Sequence, residues 1–517
     1  MTDVTADLIT LHAQAQPDKV AVIDDRPGQP VRQLTFAELD RYTNRIANGL
    51  LAAEIDAGDK VMWLGQNSLE VLSFTHAARK AGLISVPLNY RLTDDESVYV
   101  IDNSDAKIVW ADVAYAETLA RLRPRLAKVH TVVIFAGDPL EGQVAAEDFL
   151  GSEEAPQRDQ ATSGTMIYTS GTTGNPKGAV RHRTSSPEQG GALLELMGYG
   201  PGDTYVTCGP LYHSGPGGFA AIAHTLGNTV VLQHKFDPED WLRLIDTYSC
   251  SSTFSAPTPI RMVVNLPAET KAKYDTSSMR IMVANAAPWP FALKEAYVQD
   301  FPPESLWEVY GSTEMGVNCV LAPEDQMRKP GSCGKPAPLV EVRLLDPMGD
   351  EVTEVGEPGE LFVRASSVFD TYYKADEKYD EDDREGWHTV GDIAYRDDEG
   401  FLFICDRKKD MIISGGMNIY PAEIEAALEQ HPDIYEVAVL GIESEQWGES
   451  VLAVVVPQPG SPLDASRDPA EIERFSREKL AGYKLPRLVE FMDEIPKTGS
   501  NKILKRDLRN RFAHLAG

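Results

Sequence analysis

The sequence predicts an α/β protein with a large N-terminal body of layered α/β subdomains, a β-rich subdomain and a small α+β C-terminal domain. Three observations support this fold class. Helical and strand patterns alternate through residues 1–150 and again through 204–284. Short strands separated by Gly, Asp and Asn turns follow residue 330. A compact mixture of helix and strand patterns then closes the chain.

The first 150 residues show the alternation most clearly. The stretch LTFAELDRYTNRIANGLLAAE has apolar residues at helical spacing, and Thr35 precedes Glu38 by the three positions of a capping box. A buried strand, a helix and three more strands are predicted in turn from KVMWLG, SLEVLSFTHAARKAG, ISVPL, KIVWA and TVVIF. Strands that alternate with helices predict a largely parallel sheet.

The same alternation returns before the texture of the chain changes. It is carried by TYVTCG, NTVVLQH, WLRLIDTYS and RIMVANA. Antiparallel strands are then predicted for VEVRLLD, GELFVRA, IAYRDDEGFLFI and DMIISGG. From YPAEIEAALEQH onward the pattern is helix, two strands and helix. We place the domain boundary between residues 406 and 407, which predicts domains 1–406 and 407–517.

Composition excludes several classes of protein. A chain of 517 residues is too long for one ordinary core. A net charge of -30 argues against binding to nucleic acid or anionic membranes. The five cysteines are scattered and never in CxxC spacing, which indicates a reduced protein without disulfides or a zinc site. No signal peptide or transmembrane stretch is recognisable, so we expect a cytoplasmic protein.

The stretch YTSGTTGNPKGAV, residues 168–180, has the composition of a phosphate-binding loop. Gly171 and Gly174 allow backbone N–H groups to approach an anion, and Lys177 adds positive charge. A Walker A loop requires a Ser or Thr directly after the Lys and a helix that starts there. Here Gly178 follows, and GAVRH reads as a strand. The segment is therefore predicted to be strand–loop–strand, and a phosphotransferase P-loop is rejected.

The same stretch resembles the signature [YF]TSGTTGxPKG of the adenylate-forming superfamily, which includes acyl-CoA synthetases, aryl-CoA ligases and luciferases. The resemblance recurs in order along most of the chain. It implies the fold of that superfamily, with a mobile C-terminal domain. It also implies a two-step reaction in which ATP and a carboxylate give acyl-AMP, and CoA then displaces AMP. The nucleotide-binding residues implied here are Thr169, Ser170, Gly171, Thr172, Thr173, Gly174 and Lys177.

Two further blocks resemble the family's nucleotide site. In EVYGSTEMG, the family pattern places Tyr310 against adenine, Thr313 near the α-phosphate and Glu314 on Mg²⁺. A carboxylate suits that hard cation. NAAPWP occupies the place of the family's adenine-side GAAP loop, with Asn285 where Gly is usual. The flanking residues implied in nucleotide binding are Ala286, Ala287, Val309 and Gly311.

The stretch PLYHSGPGGF resembles the family segment whose His borders the acyl channel. His213 takes that position, with its role as gate, hydrogen-bond donor or proton acceptor left open. We interpret Thr313, Glu314 and His213 as catalytic residues together with a lysine near the C-terminus. The acyl pocket implied by the resemblance consists of His213, Ser214, Asn285 and Gly311.

The longest match is WHTVGDIAYRDDEGFLFICDRKKDMIISGGMNIYPAEIEAAL. Asp392 is the carboxylate implied to accept the ribose hydroxyls, with Arg407 as its partner on the sugar. Lys409 takes the hinge position around which the small domain rotates. Gly415 and Gly416 match the tunnel for the pantetheine arm of CoA.

IPKTGSNKILKRDLRNR resembles the family's C-terminal catalytic motif. Lys502 takes the catalytic position, where its ammonium would bridge the substrate carboxylate and the α-phosphate. Asn501 replaces the usual Gly. Basic residues that crowd this tail predict a place to meet phosphates: Lys479, Lys484, Arg487, Lys497, Lys505, Arg506, Arg509 and Arg511.

The leading functional hypothesis is a free-standing acyl-CoA synthetase that needs ATP, Mg²⁺ and CoA. Its acid is predicted to be a medium- or long-chain fatty acid or a bulky hydrophobic acid, with an aryl acid such as a cinnamate as the alternative. A ligase that loads a carrier protein is a second alternative, and a non-catalytic nucleotide-binding scaffold is a third. The only partners expected are small molecules, although a homodimer is compatible with this interpretation.

Overall fold

The computed structural model describes residues 7–53, 55–156, 158–169, 176–182, 187–287, 289–375, 383–384, 386–497 and 503–515. The chain divides into two compact units. The first comprises residues 1–341 and 364–386, and the second comprises 342–363 and 387–517. The second unit thus contains the whole predicted domain 407–517 together with part of the β-rich region. The boundary between residues 406 and 407 stays a prediction.

The first unit contains a sheet of nine described strands, parallel through its centre and antiparallel at both edges. Parallel strands in its centre require helical crossovers, which the helix patterns between them supply. In spatial order the strands are Lys335–Pro336, Gly316–Leu321, Leu306–Ser312, Ile281–Ala284, Ser252–Ser255, Thr204–Thr207, Thr229–Leu232, Val20–Asp24 and Arg32–Thr35.

The second sheet of this unit has eight described strands and carries the phosphate-loop stretch near one edge. Its spatial order is Thr371–Tyr372, Lys177–His182, Gly164–Thr169, Ile84–Leu88, Lys60–Leu64, Ile108–Asp112, Thr131–Phe135 and Val144–Ala145. The six strands from Gly164–Thr169 to Val144–Ala145 pair in parallel. At the opposite edge, Lys177–His182 pairs antiparallel with both Gly164–Thr169 and Thr371–Tyr372. The predicted parallel sheet is confirmed.

The helices of the first unit begin where the sequence signals place them. Thr35 caps Phe36–Ala52, and its hydroxyl accepts from Glu38 N at 3.3 Å while the Glu38 carboxylate accepts from Thr35 N at 2.8 Å. This is the predicted capping box. The described helices are Leu8–Ala15, Phe36–Ala52, Leu69–Lys80, Asp94–Ser104, Ala116–Leu122, Ala146–Phe149, Pro187–Leu196, Ser214–Thr225, Pro238–Tyr248, Pro257–Val264, Ala268–Lys271 and Phe291–Asp300.

Each sheet of the first unit has its own apolar core. Trp241, Ile260 and Tyr297 are buried against the nine-stranded sheet. Val109 and Leu119 belong to the core of the eight-stranded sheet. These cores hold the carboxyl ends of the central strands in place, and in an open α/β sheet that edge is where ligands bind.

The second unit consists of two groups of mostly antiparallel strands and four described α-helices. The first group is Glu341–Leu345, Gly359–Arg364, Trp387–His388, Asp392–Arg396 and Leu402–Arg407. The second is Met417–Ile419, Ile412–Ser414, Gly448–Pro457 and Ile434–Ser444, with Leu488–Phe491 paired in parallel to Gly448–Pro457. The helices are Pro421–Leu428, Pro462–Ser466, Pro469–Lys479 and Lys505–Phe512.

Two expectations from composition are also answered by the structure. All five cysteines are free thiols. Among the described helices, none combines the length and the apolar character needed to cross a membrane.

Candidate active site

The phosphate-loop stretch is held between two antiparallel strands. Thr169 ends the strand Gly164–Thr169, and Lys177 begins Lys177–His182 directly opposite it. The next described helix begins at Pro187. The two predicted strands are confirmed, and because Lys177 opens a strand, a Walker A geometry, in which the Lys would open a helix, is excluded. The loop residues Ser170, Gly171, Thr172, Thr173 and Gly174 lie outside the described residues.

The YGSTE block forms the turn between strands Leu306–Ser312 and Gly316–Leu321. A Cβ added to Gly311 would lie 1.9 Å from the Gly316 carbonyl oxygen, so only glycine fits there. Gly316 has φ +71°, a left-handed conformation that glycine adopts without strain. The turn therefore presents Thr313 and Glu314 at the edge of the sheet.

Glu314 connects the two predicted phosphate motifs. Its Oε1 accepts a hydrogen bond from the Thr169 hydroxyl at 3.0 Å and another from the Tyr372 hydroxyl at 3.0 Å. Lys177 Nζ lies 5.1 Å from the centre of the Tyr372 ring. The structure thus brings Thr169, Lys177 and Glu314 together, although Thr169 and Glu314 are 145 residues apart in sequence.

Thr313, from the same turn as Glu314, links this group to the neighbouring helix. Its Oγ1 lies 2.9 Å from the Ser214 hydroxyl at the start of Ser214–Thr225. The resulting cluster of hydroxyl and carboxylate oxygens is a donor set that suits Mg²⁺, which prefers oxygen ligands and shares them with substrate phosphates. In the part of the chain that the structure describes, no group of three or more His, Cys, Asp and Glu side chains could hold a metal by itself. The residues present therefore fit a cation bound by Glu314 and phosphate oxygens.

Asn285 has a specific structural role where the family usually has glycine. Its Nδ2 donates to the Val309 carbonyl at 2.5 Å, and its Oδ1 accepts from Ala286 N. Ala286 adopts φ +72°, and both Ala286 and Ala287 are exposed. Tyr310, on the same strand as Val309, is half-buried. Asn285 thus ties the predicted adenine-side loop to the strand that carries Tyr310.

Two of the predicted acyl-pocket residues, His213 and Ser214, lie at the start of helix Ser214–Thr225. His213 precedes the helix, with its ring 4.3 Å from that of Tyr212. A Cβ added to Gly215 would lie 2.2 Å from the Phe254 ring. Phe254 in turn stacks on Phe219 at 5.3 Å. An aromatic wall of Phe219 and Phe254 therefore backs the segment that carries His213 and Ser214.

The second unit holds its own predicted residues. Asp392 and Arg407 are partners on adjacent antiparallel strands, with Arg407 Nε 3.2 Å from Asp392 Oδ1. Asp392 is 6% exposed, whereas the Arg407 side chain is 42% exposed and available to a ligand. Desolvation, aided by the charges of Arg407 and Arg509, lowers the pKa of Lys409 to about 8, although the side chain still reaches solvent.

Gly415 and Gly416 form a tight hairpin turn. Their φ angles are +59° and +78°, and Ser414 pairs with Met417 across them. Two positive φ values between paired residues are typical of a type I′ turn, which glycine favours. Gly415 N donates to the Trp447 carbonyl at 2.7 Å. Both glycines are exposed, and their place in a tunnel for the pantetheine arm stays a prediction.

The basic tail is largely neutralised within the second unit. Ion pairs join Lys484 to Glu423 at 2.5 Å, Lys497 to Glu436 at 2.8 Å, Lys505 to Glu425 at 2.8 Å and Arg509 to Asp410 at 2.9 Å. Arg487 stacks on Trp447 with its guanidinium carbon 4.3 Å from the ring centre. Four of the predicted basic residues therefore have a carboxylate partner within the second unit, and their role toward phosphates stays a prediction. Lys502 lies outside the described residues.

Two side chains at this site had no signal in the sequence analysis. Tyr372 bonds to Glu314, and Arg181 donates from Nη2 to the Thr313 carbonyl at 2.9 Å. Each is a single residue within a strand-like pattern. Only its contacts in the folded sheet reveal its place at the site.

Comparison with known proteins agrees with this geometry. The AMP-binding enzyme family matches residues 9–373, and the AMP-binding enzyme C-terminal domain matches residues 423–502. Indoleacetate–CoA ligase from Aromatoleum aromaticum is 34% identical over 513 residues, 98% of this chain and 97% of that protein. Feruloyl-CoA synthase from Amycolatopsis sp. is 35% identical over 484 residues, 93% of this chain and 94% of that protein.

Further relatives include a carrier-protein ligase and a solved complex. A fatty acid–acyl-carrier-protein ligase from Streptomyces coeruleorubidus is 32% identical over 514 residues, 97% of this chain and 95% of that protein. The structure of o-succinylbenzoate coenzyme A synthetase from Bacillus subtilis with ATP and a magnesium ion superposes with a TM-score of 0.83 at 28% identity. That superposition covers 97% of this chain and 99% of the other.

These matches confirm the predicted fold and the enzyme class, an AMP-forming acid–thiol ligase that uses ATP, Mg²⁺ and CoA. Because the family match covers more than half of the sequence and the relatives align over nearly all of it, the chain belongs to the AMP-binding enzyme family.

Proposed function

We propose that this enzyme converts an aromatic carboxylic acid into its CoA thioester through an acyl-AMP intermediate. The relatives named for indoleacetate and ferulate support an aromatic acid over the fatty acid that the sequence analysis placed first. The aromatic wall of Phe219 and Phe254 behind His213 and Ser214 supports the same choice, because aromatic rings favour other aromatic rings in offset and edge-to-face contacts.

The proposal rests above all on the meeting of Thr169 and Glu314 at 3.0 Å beside Lys177. In the first step a carboxylate oxygen of the acid attacks the α-phosphorus of ATP. The new P–O bond forms as the bond to the β-phosphate bridging oxygen breaks, and pyrophosphate leaves with that electron pair. We assign Lys177, Thr169 and residues 170–174 to the departing phosphates. Mg²⁺ held by Glu314 would neutralise charge on the phosphate oxygens.

In the second step the CoA sulfur attacks the acyl carbon, the bond to AMP breaks, and the thiol proton is released. We assign Asp392 and Arg407 to the ribose and Lys502 to the transition-state charge of the first step. Gly415 and Gly416 leave room for the pantetheine arm. Domain 407–517 would rotate about Lys409 between the two steps.

The remaining assignments concern the base and the acid. Tyr310, with Ala286 and Ala287, would pack against adenine. His213, Ser214, Asn285 and Gly311 would enclose the carboxylate end of the acid, with Thr313 next to the α-phosphate. The Asn285 side chain, held by its bond to the Val309 carbonyl, would occupy part of this space, which a glycine at that position would leave open.

The test is a panel of acids offered with ATP, Mg²⁺ and CoA, with AMP and thioester measured together. The panel compares indole-3-acetate, ferulate and 2-succinylbenzoate with octanoate and palmitate. The proposal predicts AMP release that depends on an aromatic acid, with stoichiometric thioester. A preference for the fatty acids would restore the fatty-acid hypothesis that the sequence placed first, and no activity on any acid would favour a nucleotide-binding scaffold.

Loading of a carrier protein is a second candidate, favoured by the Streptomyces coeruleorubidus relative. It predicts acyl-AMP formation without CoA-dependent AMP release, and transfer to a phosphopantetheinylated carrier. A cytoplasmic location and a homodimer remain predictions from the sequence.

A further inference from the structure

Arg181 lies in the strand that follows the phosphate loop and contacts three carbonyl oxygens. Its Nη2 donates to the Thr313 carbonyl at 2.9 Å and approaches the Glu314 carbonyl at 3.5 Å. Its Nη1 donates to the Ser367 carbonyl. A planar guanidinium with five N–H groups can serve several acceptors in fixed directions, which a lysine ammonium cannot do.

Two of these three carbonyls, those of Thr313 and Glu314, belong to the turn that presents the predicted metal ligand. The same turn is held from a second side, because Phe369 N donates to the Glu314 carbonyl at 2.6 Å and Ser367 Oγ donates to the Met315 carbonyl at 3.0 Å. Arg181 bonds to both the turn and residue 367. It therefore connects the two segments that fix the backbone of Glu314.

Arg181 also shares a strand with the phosphate-loop lysine. Lys177 and Arg181 are four residues apart in Lys177–His182, so they lie on the same face of the strand. Between them Ala179 pairs with Tyr372, whose hydroxyl bonds to Glu314. One strand thus contacts the Glu314 side chain through Tyr372 and the Glu314 backbone through Arg181.

The hydrogen-bond partners of the Arg181 guanidinium named above are carbonyl oxygens, and none of them is a carboxylate. Burial lowers its pKa, while the negative charges of Asp370 and Glu314 oppose that change. An arginine stays protonated under such conditions. A positive charge that is solvated by carbonyls near the phosphate site favours a polyanionic ligand there.

We infer that Arg181 is a positioning residue for Mg·ATP: it holds the Thr313–Glu314 turn in register with the phosphate-loop strand and adds positive charge behind it. The inference rests on the proposed function for the identity of the nucleotide. Arg181 itself is not placed in contact with substrate. Its effect should therefore concern the metal and the β- and γ-phosphates more than the AMP part of the nucleotide.

The test measures binding of Mg·ATP and of AMP by calorimetry to the wild type, Arg181→Met and Arg181→Lys. Loss of a residue that orients a metal ligand typically weakens metal affinity about 10- to 100-fold, and we expect that loss for Mg·ATP with Arg181→Met. AMP binding should be preserved. Arg181→Lys should bind Mg·ATP with intermediate affinity, because it restores charge but not the fixed geometry.

The matched control is Arg243→Met, which removes an arginine that pairs with Asp25 and Asp240 on helix Pro238–Tyr248. It should leave both affinities unchanged. Unaltered Mg·ATP affinity in Arg181→Met overturns the inference, and so does an equal loss of AMP and Mg·ATP affinity. If Arg181→Met does not fold, Arg181→Lys decides, and wild-type affinity for Mg·ATP in that variant is the contradicting result.

The same binding experiment separates this inference from the proposed function. A wild-type protein that binds Mg·ATP but releases no AMP with any acid would refute the proposed function alone. The comparison of Arg181 variants would still decide the inference. A wild-type protein that binds no Mg·ATP would overturn both.

Discussion

The Thr169 hydroxyl donates to Oε1 of Glu314 at 3.0 Å, and this bond joins the end of the strand before the phosphate loop to the turn of the YGSTE block. The two residues belong to different sheets of the first unit. Neither sheet alone therefore assembles the phosphate site. Fixed oxygen groups at such a junction need little reorganisation when the charged ligand arrives, which is the basis of electrostatic catalysis.

Glu314→Gln should suppress adenylation because a neutral amide oxygen is a poor ligand for Mg²⁺. We expect a loss of about 100-fold or more in acid-dependent exchange of pyrophosphate into ATP, since metal-bound charge stabilisation supplies several kcal/mol. The exposed residue Glu304 offers a matched control as Glu304→Gln. Equal activities of the two variants across a Mg²⁺ titration would remove Glu314 from the metal site.

Tyr372→Phe deletes the hydroxyl that bonds to Glu314 and keeps the ring near Lys177. A hydrogen bond to a charged group contributes about 1.5–3 kcal/mol, so the Mg²⁺ concentration for half-maximal exchange should rise roughly tenfold. The adjacent Tyr373→Phe is the control, because the Tyr373 hydroxyl bonds to Asp105 instead. A similar shift in both variants would mean that the effect does not come from the bond between Tyr372 and Glu314.

Asn285→Gly should loosen the adenine-side loop and widen the acyl pocket. It removes the bond to the Val309 carbonyl, at a cost of about 1 kcal/mol in the free energy of unfolding. The substrate profile should shift toward bulkier acids, with kcat/KM rising for the largest member of the panel. An unchanged profile together with unchanged stability would show that Asn285 neither ties the loop nor limits the pocket.

The first unit should lose stability in acid through a buried histidine pair. His76 Nε2 lies 2.8 Å from His224 Nδ1, Arg79 Nη1 lies 3.1 Å from His76 Nδ1, and His224 Nε2 lies 2.9 Å from the Ala21 carbonyl. Arg79 can only donate and the carbonyl can only accept. Every bond in this chain is therefore satisfied when both rings are neutral.

Burial is the main cause that lowers the pKa of both rings: His76 falls well below its usual value, and His224 falls from 6.5 to about 4. The charges of Arg79 and Lys80 add to the effect on His76, while Asp7 and Asp40 pair with those two cations. Because the folded pKa values are depressed, the unfolded chain binds more protons below pH 6.5. The stability that the neutral pair contributes is present above that pH and is lost as pH falls toward 4.

His224→Gln keeps a donor for the Ala21 carbonyl and an acceptor for His76, and it removes one titrating group. Its free energy of unfolding, from urea curves between pH 7.5 and 4.5, should fall less steeply than that of the wild type. The control variant His130→Gln, which replaces an exposed histidine, should follow the wild-type curve. If all three curves ran parallel, proton uptake by the pair would be excluded as a source of acid sensitivity.

Lys502→Ala should separate the two half-reactions. The variant should lose acyl-AMP formation from acid and ATP, because the ammonium that stabilises the transition state is gone. Thioester formation from supplied acyl-AMP and CoA should be retained, as should AMP binding. An equal loss of both half-reactions would argue that Lys502 serves the structure of the small domain.

Lys409→Pro should give the opposite pattern, with thioester formation impaired by a stiffened hinge.

Local signals in the sequence predicted much of the fold. The capping box at Thr35 and Glu38 placed a helix start, and the alternation of buried strands with helices predicted the parallel sheets. The position of Gly178 after Lys177 was enough to reject a Walker A loop. These features depend on residues close together in the chain, where spacing and side-chain chemistry determine conformation.

Contacts between distant strands were beyond the sequence. Tyr372 reaches Glu314 only because Thr371–Tyr372 adds to the sheet beside Lys177–His182. Arg181 lies next to the end of the short strand Lys177–His182 and carries no periodic signal. The basic tail was expected to attract phosphates, yet Glu423, Glu425 and Glu436 pair with its lysines after folding. In each case the partner is set by topology rather than by local pattern.

The most direct test of the account is CoA-thioester formation by the wild-type enzyme with indole-3-acetate and ferulate, measured against octanoate and palmitate at equal ATP, Mg²⁺ and CoA. We predict a higher kcat/KM for an aromatic acid, with one AMP released per thioester formed. Equal or higher kcat/KM for the fatty acids would contradict it.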